Sequence, residues 1–207
     1  MMKLYYSSGA CSLASHIALE ETGADYEAER LDFKAGQQRS EDYLRVNPKG
    51  RVPALQTDRG VLTESPVILG FVAESFPGAH FAPTGDSWAF GQMQAFNMQI
   101  ASTVHPAFAH IFRPTRFGDE SCADAMRAKA LDTIGEFLAS TDAKLDGRDW
   151  VHGDYTVSDP YLFVMSRWAT NVGVDLTRYP AVHAHRTRVQ ARPAVVRVLA
   201  AEGLQPM

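Results

Sequence analysis

The chain has 207 residues, enough to bury a sizeable core in one large or two small domains. Its composition, 45% apolar and 21% charged, is that of an ordinary globular protein, and a net charge of −4 offers no electrostatic case for nucleic acid or an anionic membrane. Two cysteines make no disulfide framework, and Cys11 and Cys122 share no metal-ligand spacing, so a reducing cytoplasm is the expected compartment. "MMKLYY" passes directly into strand-like residues without a signal-length apolar run, and the longest apolar stretch, "VILGFVA" (67–73), is too short to span a bilayer.

The first 80 residues alternate strand-like and helix-like stretches. "KLYY" (3–6) reads as a strand, and "SLASHIALEETG" (12–23) as a helix with Leu13 and Ile17 on one face and Gly23 as its carboxyl-terminal cap. A second strand follows over 26–33, then a short helix over 40–48 ended by Asn47-Pro48. "VPALQT" (52–57) and "GVLTE" (60–64) flank a turn at Asp58-Arg59 and read as a hairpin. "SPVILGFVAESFP" (65–77) is a helix stopped by Pro77-Gly78.

Prolines and glycines without periodicity then mark a connection, with domain limits set at 1–80 and 87–207 and a linker over 81–86. Beyond it 87–112, 122–145, 156–173 and 181–204 carry helical periodicity only, with Pro193 dividing the last. A small α/β domain is followed by an all-helical one.

Several stretches have the residue types that chemistry needs. Cys11 falls at the first turn of a helix, where unpaired N–H groups and the dipole favour an anion and ease thiol ionisation. A buried filler is the competing reading, because free cysteine is among the most buried residue types. No second cysteine follows three residues on, so disulfide chemistry would need an external thiol. Pro53 opens a strand without an N–H for the ladder. An ordinary edge-strand proline is the simpler reading, while a cis Val52–Pro53 bond would turn the Val52 N–H and C=O outward as a docking edge. "TESP" (63–66) puts Ser65 at an N-cap with Pro66 in the first turn beside Glu64, a pairing able to take both ends of an α-amino acid head, or to be a plain cap.

Thr156 and Asp159 form a capping-box-like pair in "VHGDYTVSDPYLF" (151–163), a structural device whose following Pro160 predicts some strain. His183 and His185 point about 200° apart on a helix, which argues against a shared metal. Phe108, Phe112, Phe117 and Trp168 would wall an apolar pocket or, more simply, fill a core.

Taken together, "YYSSGACSLASHIALEETG", "NPKGRVPAL", "LTES", the G-D-x-x-T-x-x-D element and the "AEGL" tail resemble cytosolic glutathione S-transferases, most closely the bacterial beta class, over nearly the whole chain. The resemblance implies a thioredoxin-like amino-terminal domain with a mixed four-stranded sheet and an all-α carboxy-terminal domain. It further implies conjugation of reduced glutathione to small apolar electrophiles, xenobiotic or metabolic, by a homodimer that needs no metal. Glutathione would dock its γ-glutamyl head at Glu64 and Ser65, pair its backbone with Val52 beside Pro53, and point its thiol at Cys11. His105 in "ASTVHPAF" matches a histidine facing that site, with Ser102 a weaker candidate one turn earlier, and Ser7 rivals Cys11 as the group bonding the sulfur.

Beta-class relatives often carry a lysine pair where this chain has "DFKAGQQ", with Gly36 near the aligned position and Lys34 the candidate to substitute for it at the glycine end, and Met98 and Thr103 stand where asparagine and glutamate are common. Two alternatives share the fold. One is a thiol–disulfide or peroxide-reducing enzyme working through a Cys11–glutathione mixed disulfide. The other is a ligand-binding module without turnover.

Overall fold

The computed structural model describes residues 1–207. Its first half holds β1 (Met2–Tyr6), α1 (Ser12–Thr22), β2 (Tyr26–Arg30), α2 (Glu41–Val46), β3 (Ala54–Thr57), β4 (Gly60–Thr63) and α3 (Ser65–Ser75). The strands form one sheet in the order β2-β1-β3-β4, with β1 parallel to β2 and the other pairings antiparallel. The second half is helical: α4 (Ser87–Gln99), α5 (His105–Phe112), α6 (Ala123–Leu145), α7 (Ser158–Asn171), α8 (Pro180–Gln190) and α9 (Pro193–Glu202). This is the thioredoxin-like sheet and all-helical remainder that the sequence implied.

Helix α1 closes at Gly23 in the left-handed conformation, φ 67°, as its position after the last apolar residue predicts. The second strand stops at Arg30, short of Phe33, because the Asp32 carboxylate turns the chain by accepting from the Lys34 and Ala35 N–H groups at 2.8 and 3.1 Å.

The long helical stretch 87–112 is divided. Pro106 has no N–H to continue the ladder, and the helix widens over Ile100–Val104 into a π-helical turn in which the His105 N–H reaches the Ile100 carbonyl. That turn sets the direction in which His105 leaves α5.

One apolar cluster runs through both halves. It extends from Leu4, Ile17 and Leu69 to Phe108, Phe163 and Val198, with α1 packed against α3 on one side and against α7 and α9 on the other. Consequently the turn before α1 is built by residues from both ends of the chain. No helix is long and apolar enough to cross a membrane.

Candidate functional site

The site begins at the turn between β1 and α1. Gly9 takes φ 68°, a conformation glycine adopts without steric cost. Its N–H donates to Glu202 Oε2 and its carbonyl accepts from Trp168 Nε1, both at 2.8 Å. The Ser8 hydroxyl donates to the Glu202 carbonyl, and the other Glu202 oxygen meets His16 Nδ1 at 2.8 Å. Ser12, wholly buried, bonds both the N–H and the carbonyl of Ser7. The Ser7 hydroxyl itself makes no bond within the chain.

Cys11 caps α1 with an αR backbone and is 7% exposed. Its thiol donates to the Val52 carbonyl at 3.3 Å. The sequence predicts easy ionisation here, and the structure overturns that. Burial pushes the Cys11 thiol up to about 11, against the pull of the Ser65 hydroxyl and of the Cys11 and Ser12 N–H groups, with the Glu64 charge adding to the rise. The dipole at a helix start offers a fraction of what it costs to bury an uncompensated thiolate.

The Val52–Pro53 peptide is cis, not the ordinary edge-strand bond that local pattern favours. The preceding Arg51 carbonyl is fixed by the Tyr43 hydroxyl and by Asn47 Nδ2 at 2.7 Å. The Val52 N–H has no backbone acceptor in the chain, and its carbonyl keeps a second lone pair beside the one that takes the Cys11 thiol.

Ser65 is the first residue of α3 instead of its N-cap, and Glu64 holds the cap position at φ 71°, ψ 124° without a side-chain capping bond. Such a backbone costs about 1–3 kcal/mol for a non-glycine residue, and outliers of this kind cluster at ligand clamps. The Glu64 carboxylate already attracts one ammonium, that of Lys49 at 2.7 Å. Ser65 is buried between Cys11 and Tyr161, a tyrosine from α7 whose hydroxyl burial drives far above its ordinary range, with Cys11 and Ser65 as its polar neighbours.

His105 connects the helical half to the α1 turn through Trp168, whose Nε1 holds the Gly9 carbonyl. Its ring lies edge-on to Trp168 with centroids 5.0 Å apart. Burial, then repulsion from Arg51 and Arg113, lowers its affinity for a proton, while Glu64 pulls the other way. It stands as a neutral imidazole at pH 7. Ser102 is exposed and donates its hydroxyl to the Met98 carbonyl at 2.8 Å, and Met98 and Thr103 are exposed too. Lys34 is exposed, and its ammonium bonds nothing in the chain.

The aromatic set divides. Phe108 is core; Phe112 is 46% exposed, stacks on Phe108 and meets Trp168 edge-on at 5.6 Å; Phe117, 49% exposed, sits against His110 at 4.3 Å.

Asp159 is structural, as its pattern implies. Oδ1 accepts from the Val151 N–H and pairs with His185 Nε2; Oδ2 accepts from the Thr156 N–H. Helix α7 starts one residue later than the Thr156 cap predicts, with Val157 at the cap. Pro160 therefore falls in the first turn, where its missing N–H leaves nothing orphaned, and the anticipated strain has no cause.

Sequence reasoning missed Glu202, Ser12, Tyr161 and the Trp168–Gly9 bond. Glu202 carried one signal: a carboxylate in the last turn of a helix opposes the dipole, so it needs a partner elsewhere.

The family profile described as "Glutathione S-transferase, N-terminal domain" matches residues 1–74. "Glutathione S-transferase GstA" of Escherichia coli O157:H7 is 36% identical, the match covering 99% of this chain and 100% of that protein. A glutathione transferase homolog from Sulfitobacter, solved with bound glutathione, superposes with a TM-score of 0.92 at 36% identity, covering 99% of both chains. The bacterial beta-class glutathione S-transferase of Sphingomonas chungbukensis gives 0.86 at 37% identity, covering 98% of this chain and all of that one.

Proposed function

The chain belongs to the glutathione S-transferase family, and from that premise we propose that it transfers reduced glutathione to small electrophiles in the cleft between residues 1–80 and the helical domain 87–207. What supports this is Cys11 beside the Val52 carbonyl and Ser65, next to the cis Pro53, with His105 from the helical half feeling the same Glu64 charge as Cys11, and with the Val52 N–H and the Ser7 hydroxyl left without a partner in the chain.

Glutathione's γ-glutamyl ammonium goes to Glu64 and its carboxylate to Ser65 at the start of α3. Its cysteinyl backbone pairs with the Val52 N–H and C=O, and Lys34 is the cation for its glycyl carboxylate. The Cys11 thiol, the Cys11 and Ser12 N–H groups and the Ser7 hydroxyl then surround the glutathione sulfur and stabilise it as a thiolate. His105 supplies a neutral ring above it, with Ser102 at the outer edge. The thiolate attacks the electrophilic carbon, the displaced group leaves, and the thiol proton passes to water. Phe112 and Trp168 hold the electrophile in place.

A protonated, buried Cys11 favours this role over the mixed-disulfide alternative, because the thiolate is the nucleophile in exchange. Val61 on β4, Val67 on α3 and Met98 on α4 are exposed apolar groups on adjoining elements, which supports a homodimer burying them. Cys11 and the exposed Cys122 are both free, which suits a reducing cytoplasm.

The test uses reduced glutathione with a chloronitrobenzene, alongside intact mass after treatment with glutathione disulfide. Wild type is expected to conjugate and to gain no glutathione on Cys11. Cys11→Ala should lose roughly 10- to 100-fold in kcat/KM, the scale of one hydrogen bond to a charged group. Full activity in Cys11→Ala with loss in Ser7→Ala hands the sulfur contact to Ser7. Absence of both turnover and glutathione binding in wild type sinks the transferase reading.

A further inference from the structure

Four arginines meet at the mouth of the cleft without a carboxylate among them. Arg113 and Arg116 are the two ends of the tight turn that follows α5, closed by the Arg116 N–H on the Arg113 carbonyl at 3.1 Å. Across the cleft, Arg51 directly precedes Val52, and the Arg39 side chain lies 3.5 Å from where a Cβ on Gly50 would stand. The Arg113 guanidinium reaches over the Phe33 ring at 5.8 Å, so the two rims touch. All four arginines are exposed, and none forms an ion pair.

Their convergence is also electrostatic: burial and then repulsion by Arg113, Arg51 and Arg39 lower the proton affinity of Arg116, with no acid opposing. Glu64, the one acidic residue that acts on His105 beside Arg51 and Arg113, has Lys49 as its partner within the chain and faces the γ-glutamyl end. Elsewhere Lys3, Arg45, Arg188, Arg192 and Arg197 each sit on an acidic side chain, while other bases such as Arg30 and Arg59 also form no ion pair but are not drawn together with further arginines. In a chain with 24 acidic residues against 20 basic ones, these four put unpaired positive charge near His105, on which Arg51 and Arg113 both act.

Glutathione does not account for it. In the transferase reading its γ-glutamyl charges are matched at Glu64 and Ser65, and its glycyl carboxylate needs a single cation, where the proposed assignment is Lys34 and at most one of the four arginines could stand in its place. Like charges held together without counter-ions are unfavourable, and a site that focuses one sign of charge concentrates ligands of the other. Guanidinium forks match carboxylates bidentately, and the neighbouring rings suit a flat conjugated body.

We infer that the electrophile this site selects is an acidic one, a planar conjugated compound whose carboxylate, remote from the reacting carbon, is held by Arg113 and Arg116. The inference rests on the transferase reading and narrows its substrate class from neutral apolar compounds to carboxylates. With a chloronitrobenzoate as the electrophile, the glutathione sulfur bonds to the ring carbon, chloride leaves with the electron pair of the broken bond, and the thiol proton goes to solvent.

The experiment compares a chloronitrobenzoate with its carboxamide, each kcat/KM divided by the uncatalysed rate with glutathione. The acid is expected to exceed the amide by about tenfold, the worth of one charge-assisted contact. Arg113→Gln/Arg116→Gln should bring the ratio near unity. Raising salt from about 20 to about 300 mM should lower the wild-type ratio as the field is screened, an answer that does not depend on the variant folding. Turnover of the amide with no preference for the acid overturns this inference alone, as does a preference that survives both the double substitution and added salt. Turnover of neither compound overturns the transferase reading with it.

Discussion

Two polar clusters lie at helix amino termini in this protein, and they are finished in opposite ways. At α7 both oxygens of Asp159 are taken up by the Val151 and Thr156 N–H groups and by His185, whose other ring nitrogen, Nδ1, is buried without a partner. At α1 the Ser7 hydroxyl and the N–H groups of Cys11, Ser12 and Val52 have no acceptor in the backbone network. Buried and half-buried donors are nearly always paired. A closed cluster is one whose worth is spent on the fold; an open one, lining a cleft, is set out for a ligand. The two differ also in reach, since Asp159 gathers most of its partners within eight residues while the α1 turn is held by Glu202 and Trp168 from the far end of the chain.

Breaking the closed cluster should give the largest effect. Asp159→Ala strands two buried N–H groups and a fully buried histidine, and should remove about 3–5 kcal/mol, read as a lowered midpoint in urea. At temperatures where the variant stays folded, its glutathione KM should match wild type. A raised KM at unchanged stability would reverse the assignment of this cluster to the fold.

Glu202→Gln comes next and should separate the clusters by kind. The amide still offers Gly9 an acceptor, so the stability lost should be about 1–3 kcal/mol, from the weakened bond to His16. Because the same residue sets the turn that carries Cys11, kcat/KM for conjugation should fall as well. Lost stability with untouched kinetics would show the turn to be fixed without it.

Much of the fold was legible in local pattern, and the reason is local physics. Gly23 ends α1, Pro77 follows α3 and Pro193 divides α8 from α9 because each acts through its own backbone geometry. Asp159 was legible for the same reason. The site was legible as a set of motifs but not in its energetics. The position of Cys11 at a helix start is written in its neighbours; the burial that keeps its thiol protonated is written in Ser65, Tyr161 and Val52, more than forty residues away. The π-helical turn that aims His105 follows from Pro106, whose effect on the ladder is local, but its direction is set by the packing of two helices. The arginine mouth, assembled from residues 39, 51, 113 and 116, has no local signature.

The smallest effect is silent at pH 7 and sharpens the comparison from the closed side. His152 stands beside the α7 cap, with Nε2 3.1 Å from the Ser158 hydroxyl and its ring edge-on to Phe96. Burial, then the Lys144 charge, lowers its pKa from 6.5 to about 4, with Asp159 opposing. Below 6.5 the unfolded chain takes up a proton that the folded histidine refuses, so this residue's contribution to stability is complete above that pH and drains away as pH falls toward about 4. His152→Gln has nothing to titrate there. The difference in Tm between wild type and the variant should therefore be constant from neutral pH down to about 6.5 and then shift steadily against wild type, since groups present in both proteins cancel. A difference that stays flat down to about pH 4 would mean that His152 accepts its proton within the folded protein, and that the α7 cluster is open to solvent on this side as the α1 turn is.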